Sequence, residues 1–156
     1  MTPPAHLCGE ATNRLLIHEL LASYANAIDA GDFVTVGNLF AKGCITTSDG
    51  AVVAEGAAAV EALYRSTTKL HADGTPKTAH QVTNVVVEFE GDDAATVRSR
   101  FTVFQATGRV ALQPIVVGRY VDQVVKVDRG WEFRSRMMVP QLWGDTTDHL
   151  LFDPTA

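Results

Sequence analysis

The 156-residue sequence has only two cysteines, Cys8 and Cys44. Two thiols do not make a disulfide framework, so folding must rest on a packed core, and a reducing, cytoplasmic setting is the expectation. Positive charge is also short: 13 Lys and Arg stand against 18 Asp and Glu, a formal charge of −5. Nucleic-acid backbones are bound by clustered cations, so no nucleic-acid partner is expected. No apolar run approaches the roughly 18 residues of a membrane helix, and no membrane partner is expected. The opening MTPPAHLCGEATN has neither a basic start nor a long apolar stretch. Residues 1–11 therefore read as a loosely held arm rather than a secretory leader.

Catalytic signatures are equally scarce. The sequence contains no Gly-rich phosphate loop, no dinucleotide fingerprint, no His-Glu-x-x-His, no Cys-x-x-Cys and no Gly-x-Ser-x-Gly. The histidines, His6, His18, His71, His80 and His149, are scattered. No metal site is expected from their spacing. What remains is acid–base chemistry by isolated polar groups in a pocket.

Hydrophobic residues make up 46% and charged residues 20% of the chain, enough for one well-packed domain. From Thr12 to Asp29, Ile17, Leu20, Leu21, Tyr24 and Ile28 recur at helical spacing. Gly31 offers a stop, and Asp32 a cap for a shorter helix through Phe33, Val36, Leu39 and Phe40. Cys44 to Val53 reads as a hairpin turning at Asp49-Gly50. A third helix follows over Ala57–Leu70, with Val60, Leu63 and Tyr64 buried. Four strands then succeed one another, Ala79–Glu90, Ala94–Ala106, Gln113–Val127 and Trp131–Val139, joined by short turns and hence antiparallel. Gln141–Ala156 reads as an irregular tail. Helices followed by strands give an α+β class: a cone in which three N-terminal helices pack into a curved, mostly antiparallel sheet. The hollow of such a cone is a natural small-molecule pocket.

Three residues invite a chemical role. Asp29 lies in the last helical turn, where the macrodipole disfavours a carboxylate by about 0.3–1 kcal/mol. If buried there, it would have a raised pKa suited to a base or to orienting a histidine; otherwise it is a solvated turn residue. His80 opens a strand in which His80, Val82, Asn84 and Val86 share a face by the two-residue period. It either lines a cavity or is half-buried against a carbonyl. Tyr24 is either core packing or a hydroxyl donor in the pocket. On the other face, Val85, Val87 and Phe89 would leave an apolar surface, which predicts a homodimer or homotrimer. Arg136 reads as an exposed strand residue.

Tyr24-Ala-Asn-Ala-Ile-Asp29-Ala-Gly-Asp32 with Leu39-Phe40 resembles the opening helices of the SnoaL-like branch of the nuclear-transport-factor-2-like superfamily. Thr78-Ala-His80-Gln-Val-Thr-Asn84 resembles its helix-to-strand junction. Gly91-Asp92-Asp93-Ala94, Gly118-Arg119-Tyr120 and Asp128-Arg-Gly-Trp131-Glu-Phe133 resemble its later turns and last hairpin. The resemblance spans residues 12–145, leaving 146–156 as a tail. It implies kinship with dehydratase-like lyases such as scytalone dehydratase, hexachlorocyclohexane dehydrochlorinase and bile-acid 7α-dehydratase, which use an Asp–His pair. Asp29 and His80 fall on those positions, and Tyr24 on that of a tyrosine in bile-acid 7α-dehydratase.

The implied function is a cofactor-independent dehydratase-type lyase for an apolar cyclic or polycyclic molecule, with Phe40, Val82, Val86, Asn84, Phe101, Tyr120, Met138 and Trp143 around the substrate. The same scaffold also supports isomerases, aldol cyclases, plain binding proteins and small subunits of ring-hydroxylating dioxygenases. The chain departs from scytalone dehydratase at Ser48, where that enzyme has a tyrosine. It departs again near Phe104 or Gln105, in place of a second histidine, and near Tyr120, in place of an asparagine. Scytalone itself is therefore not the expected substrate.

Overall fold

The computed structural model describes residues 5–154, with side chains from residue 9 onward. Three helices, α1 (Ala5–Asp29), α2 (Phe33–Asn38) and α3 (Ala57–Thr67), pack against one six-stranded sheet. Its strands are β1 (Cys44–Thr46), β2 (Val52–Glu55), β3 (Thr78–Phe89), β4 (Ala94–Gln105), β5 (Gln113–Val127) and β6 (Gly130–Trp143). They lie in the order β2-β1-β6-β5-β4-β3. Every pairing is antiparallel except β1 with β6, and β2 and β3 are unpaired edges, so the curved sheet stays open rather than closing into a barrel.

The helical stripe is buried as expected: Ile17, Leu21, Tyr24 and Ile28 are all 3% exposed or less. The helix begins earlier than expected, at Ala5, so much of the supposed arm is helical; residues 1–4 lie outside the described residues, as does the side chain of Cys8. Cys44 is a free thiol. Gly31, with φ of +71°, turns the chain out of α1, and the Asp32 carboxylate caps α2 by accepting from the Thr35 N–H. The third helix stops at Thr67, three residues before the expected end. The Ser66 and Thr67 hydroxyls both bond back to the Leu63 carbonyl, and Thr68 is extended and bridges Leu150.

Two β-bulges overturn readings based on strict alternation. In β3 the register slips between Thr83 and Val86, and Asn84 adopts a positive φ of 53°. Asparagine tolerates this left-handed conformation better than most residues. The extra residue reverses which side chains face inward. Asn84 and Val86 are therefore exposed, whereas Val87 is buried and Val85 and Phe89 pack on the core. The outward row becomes Gln81, Thr83, Val86 and Glu88, largely polar. A dimer or trimer built through Val85, Val87 and Phe89 thus has no apolar face to bury there.

In β6 the slip between Phe133 and Ser135 leaves Arg134 as the extra residue. Inward positions change from Trp131 and Phe133 to Arg136 and Met138. Arg136 is fully buried rather than exposed. The strand also runs on to Trp143, shortening the irregular tail.

Candidate active site

Asp29 ends α1 just as β3 begins beside it. Its carboxylate accepts three hydrogen bonds from that strand: from the Thr78 hydroxyl at 2.7 Å, the His80 backbone N–H at 2.7 Å and His80 Nδ1 at 2.6 Å. Burial pushes the Asp29 pKa up, as the sequence suggested. The hydrogen bond and charge of His80, then its backbone N–H and the Thr78 hydroxyl, outweigh that effect, so the pKa falls below 3.8 instead of rising. Asp29 is thus ionised at neutral pH. With Nδ1 donating to it, Nε2 of His80 is left as the acceptor nitrogen, and nothing among the described residues bonds to it.

His80 borders a cavity of about 420 Å³, within the range of ordinary small-molecule sites. Asp29 stands behind it and does not line the space. Tyr24, Phe101, Tyr120, Met138 and Trp143 do line it. Four expected wall residues do not: Phe40 is buried against the Phe133 ring, Val82 packs on the core, and Asn84 and Val86 are exposed around the bulge. Gly118 makes room for one wall. A Cβ there would lie 2.6 Å from the Phe101 ring, which stacks on Tyr120 at 4.4 Å.

The polar floor was largely hidden in the sequence. Tyr64 was legible as buried but not as part of the site; its hydroxyl lies 2.5 Å from that of Tyr24. Burial, reinforced by the other phenols, raises the pKa values of Tyr64 and Tyr120 well above 10, so both stay neutral. Beneath them Arg136 Nε and Nη2 reach the two oxygens of Asp122 at 2.8 and 2.7 Å, with both side chains fully buried. Asp122 and Arg136 are direct cross-strand partners. The guanidinium lies 4.0 Å from the centres of both the Tyr24 and Tyr120 rings and so helps hold them in place, while its Nη1 is buried without a hydrogen-bond partner. Little in the sequence signals the ion pair, since Asp122 stands between Arg119 and Lys126 in β5 and Arg136 follows Arg134 in β6.

The tail supplies a second histidine. His149 lines the cavity and is 9% exposed. Burial, then the nearby His80 charge, lowers its pKa to about 4, against a smaller opposing pull from Asp29. Two acid transitions are expected from these shifts. His149 takes up a proton near pH 6.5 when unfolded but only near pH 4 when folded, so its contribution to stability declines as pH falls between those values. Asp29 contributes above its unfolded value and loses that contribution as pH falls from 3.8 through its lower folded pKa. Urea unfolding across pH should show both, with His149→Gln removing the upper component alone. An unchanged upper component in that variant would contradict the assignment.

Among the described residues, no group of three or more His, Cys, Asp or Glu side chains is placed to hold a metal ion. A family model described as the SnoaL-like domain matches residues 9–137. An NTF2-like protein with a cystatin-like fold from Novosphingobium aromaticivorans superposes with a TM-score of 0.69 at 27% identity, over 86% of this chain and 85% of its own. A protein of unknown function from Mycobacterium tuberculosis gives 0.70 at 25% identity, over 86% and 75%. A candidate scytalone dehydratase from N. aromaticivorans gives 0.72 at 20% identity, over 89% and 91%, a likeness of fold. No curated protein matches the chain significantly. With the family match running from α1 into β6 and the same architecture in each of these structures, the chain belongs to the SnoaL-like family of the NTF2-like superfamily.

Proposed function

We propose that the protein is a dehydratase-type lyase acting on a cyclic, largely apolar molecule that carries a carbonyl and a β-hydroxyl. The observation that carries this reading is His80: Asp29 fixes its Nδ1, and its other nitrogen is unpartnered at the edge of an apolar cavity. That is the arrangement of a general base held in one tautomer.

In the proposed reaction, His80 Nε2 takes the proton from the carbon next to the carbonyl. The C–H electron pair moves toward the carbonyl, giving an enolate. The enolate then re-forms the carbonyl as a C=C bond develops and the β C–O bond breaks. The departing hydroxide takes the proton back from the imidazolium and leaves as water, so His80 returns to its starting state. Asp29 stabilises the transient imidazolium. Of the paired Tyr24 and Tyr64 hydroxyls, one donates to the other, and the second, within 3.9 Å of Met138 Sδ, exchanges that weak acceptor for the substrate oxygen.

The test is a panel of cyclic β-hydroxyketones, followed by absorbance of the conjugated enone. Water loss by the wild type and its absence with His80→Ala supports the lyase reading. Rearrangement without water loss would reassign the same proton transfer to an isomerase. Binding without any turnover across the panel would contradict an enzymatic role for the dyad.

A further inference from the structure

His149 lies beyond the part of the chain that the family model matches, yet the structure builds it firmly into the cavity wall. The residues around it act as a clamp. The adjacent Asp148 is 3% exposed, and its carboxylate accepts from Thr107 Oγ1 at 2.7 Å, from Lys69 Nζ at 3.2 Å and from the Arg109 guanidinium. These bonds lower the Asp148 pKa far below the ordinary carboxylate range. The Asp148 carbonyl accepts from Gln105 Nε2 at 3.0 Å and lies 3.1 Å from His71 Nε2. The backbone of His149 is satisfied on both sides: its N–H donates to Thr146 and its carbonyl accepts from the Lys69 N–H. One residue further, Leu150 bridges Thr68.

Against this fully bonded backbone, the ring is an exception. Nδ1 of His149 is buried with no hydrogen-bond partner. An unmade bond at a buried polar atom is costly, and an orphaned N–H is rarer than an orphaned acceptor. The proton therefore belongs on Nε2, which is neither bonded nor sealed off among the described residues. His80 presents an acceptor nitrogen to the same cavity. The two imidazoles thus have opposite hydrogen-bonding polarity, one a base and the other a neutral donor, the pattern expected where two like groups divide acid and base roles.

We propose that His149 is a ligand-contacting residue whose Nε2–H donates a hydrogen bond to a carbonyl oxygen of the ligand, selecting ring ketones over hydrocarbons of the same shape. The proposal deepens the lyase reading and rests on it for its catalytic meaning: the same bond would strengthen as an enolate oxygen develops. The selectivity itself is independent of turnover. The neutral state that burial imposes on His149 suits this role, because the ring stays a donor without bringing a charge into an apolar space.

The test uses 1-indanone and indane as probes on the full chain, with binding followed by NMR. The wild type should prefer the ketone, and His149→Phe should reduce the ratio of ketone to indane affinity about fivefold, the size of one neutral hydrogen bond. His149→Gln, which retains a donor, should restore part of it. In the wild-type protein, indanone but not indane should shift the His149 Nε2 nitrogen resonance, a readout that does not depend on any variant folding. An unchanged ketone preference in His149→Phe, or a His149 ring resonance indifferent to indanone, would overturn the proposal. Neither result bears on whether His80 removes a proton, which the β-hydroxyketone panel decides separately.

Discussion

Arg136→Met should cost about 3–5 kcal/mol of folding stability in urea unfolding, because it leaves the fully buried Asp122 without its counter-charge. Burial already pushes the Asp122 pKa above 3.8, with Arg136 the influence opposing it. Removing the cation obliges the carboxyl to take a proton or draw in water. Burial also works against the charge on Arg136, but Asp122 more than offsets it and the guanidinium pKa lies above its ordinary value. Replacing both partners, as Asp122→Leu with Arg136→Met, should recover most of the loss, since a well-packed apolar pair avoids the desolvation cost of two ions. Ligand binding should not recover with stability. The guanidinium packed against both Tyr24 and Tyr120 would be gone, and two of the cavity's aromatic walls would lose that support. A single Arg136→Met variant as stable as the parent would contradict this account of the floor.

The largest effect on activity is expected at His80. Once a turnover substrate is in hand, His80→Ala should lower the rate by about 10²–10⁴, the range for loss of a positioned general base. Asp29→Asn should cost a large part of the same factor, because an amide can favour the wrong imidazole tautomer. Its effect on stability differs from what the helix dipole alone suggests. A carboxylate at a helix C-terminus is unfavourable in isolation, and its removal would be neutral or helpful. Here Asp29 receives three short hydrogen bonds that tie α1 to the start of β3. An asparagine turns an N–H₂ toward donors, so Asp29→Asn should lose about 1–3 kcal/mol. Tyr24→Phe should be milder in rate, since Tyr64 can still present a hydroxyl to the ligand.

The Asp29–His80 contact was legible through the family resemblance, while local signals only placed each residue next to an element boundary. The apolar stripe ending at Ile28 puts Asp29 at a helix end, and the loop breakers before Thr78 put His80 at a strand start. What alternation alone could not reveal was parity after a bulge. A single extra residue at Asn84 turns Val86 outward and Val87 inward, and the extra Arg134 carries Arg136 from the outer face to the floor of the cavity. Asn84 held a partial clue, since asparagine is enriched at left-handed positions. Asp122 held another, as the one acid in β5. Tyr64 and His149 reach the site through long-range packing of α3 and the tail. No local pattern brings Tyr64 to Tyr24, or a residue from position 149 to the wall shared with His80.

The central claim is that His80 removes a proton from carbon, and solvent deuterium exchange measures that step directly. Cyclic ketones incubated with the protein in deuterated buffer should gain deuterium at the carbon next to the carbonyl faster than in buffer alone, by mass spectrometry. His80→Ala should return the rate to the buffer value, and Asp29→Asn should lie between. Exchange that proceeds in His80→Ala at the wild-type rate would contradict the account.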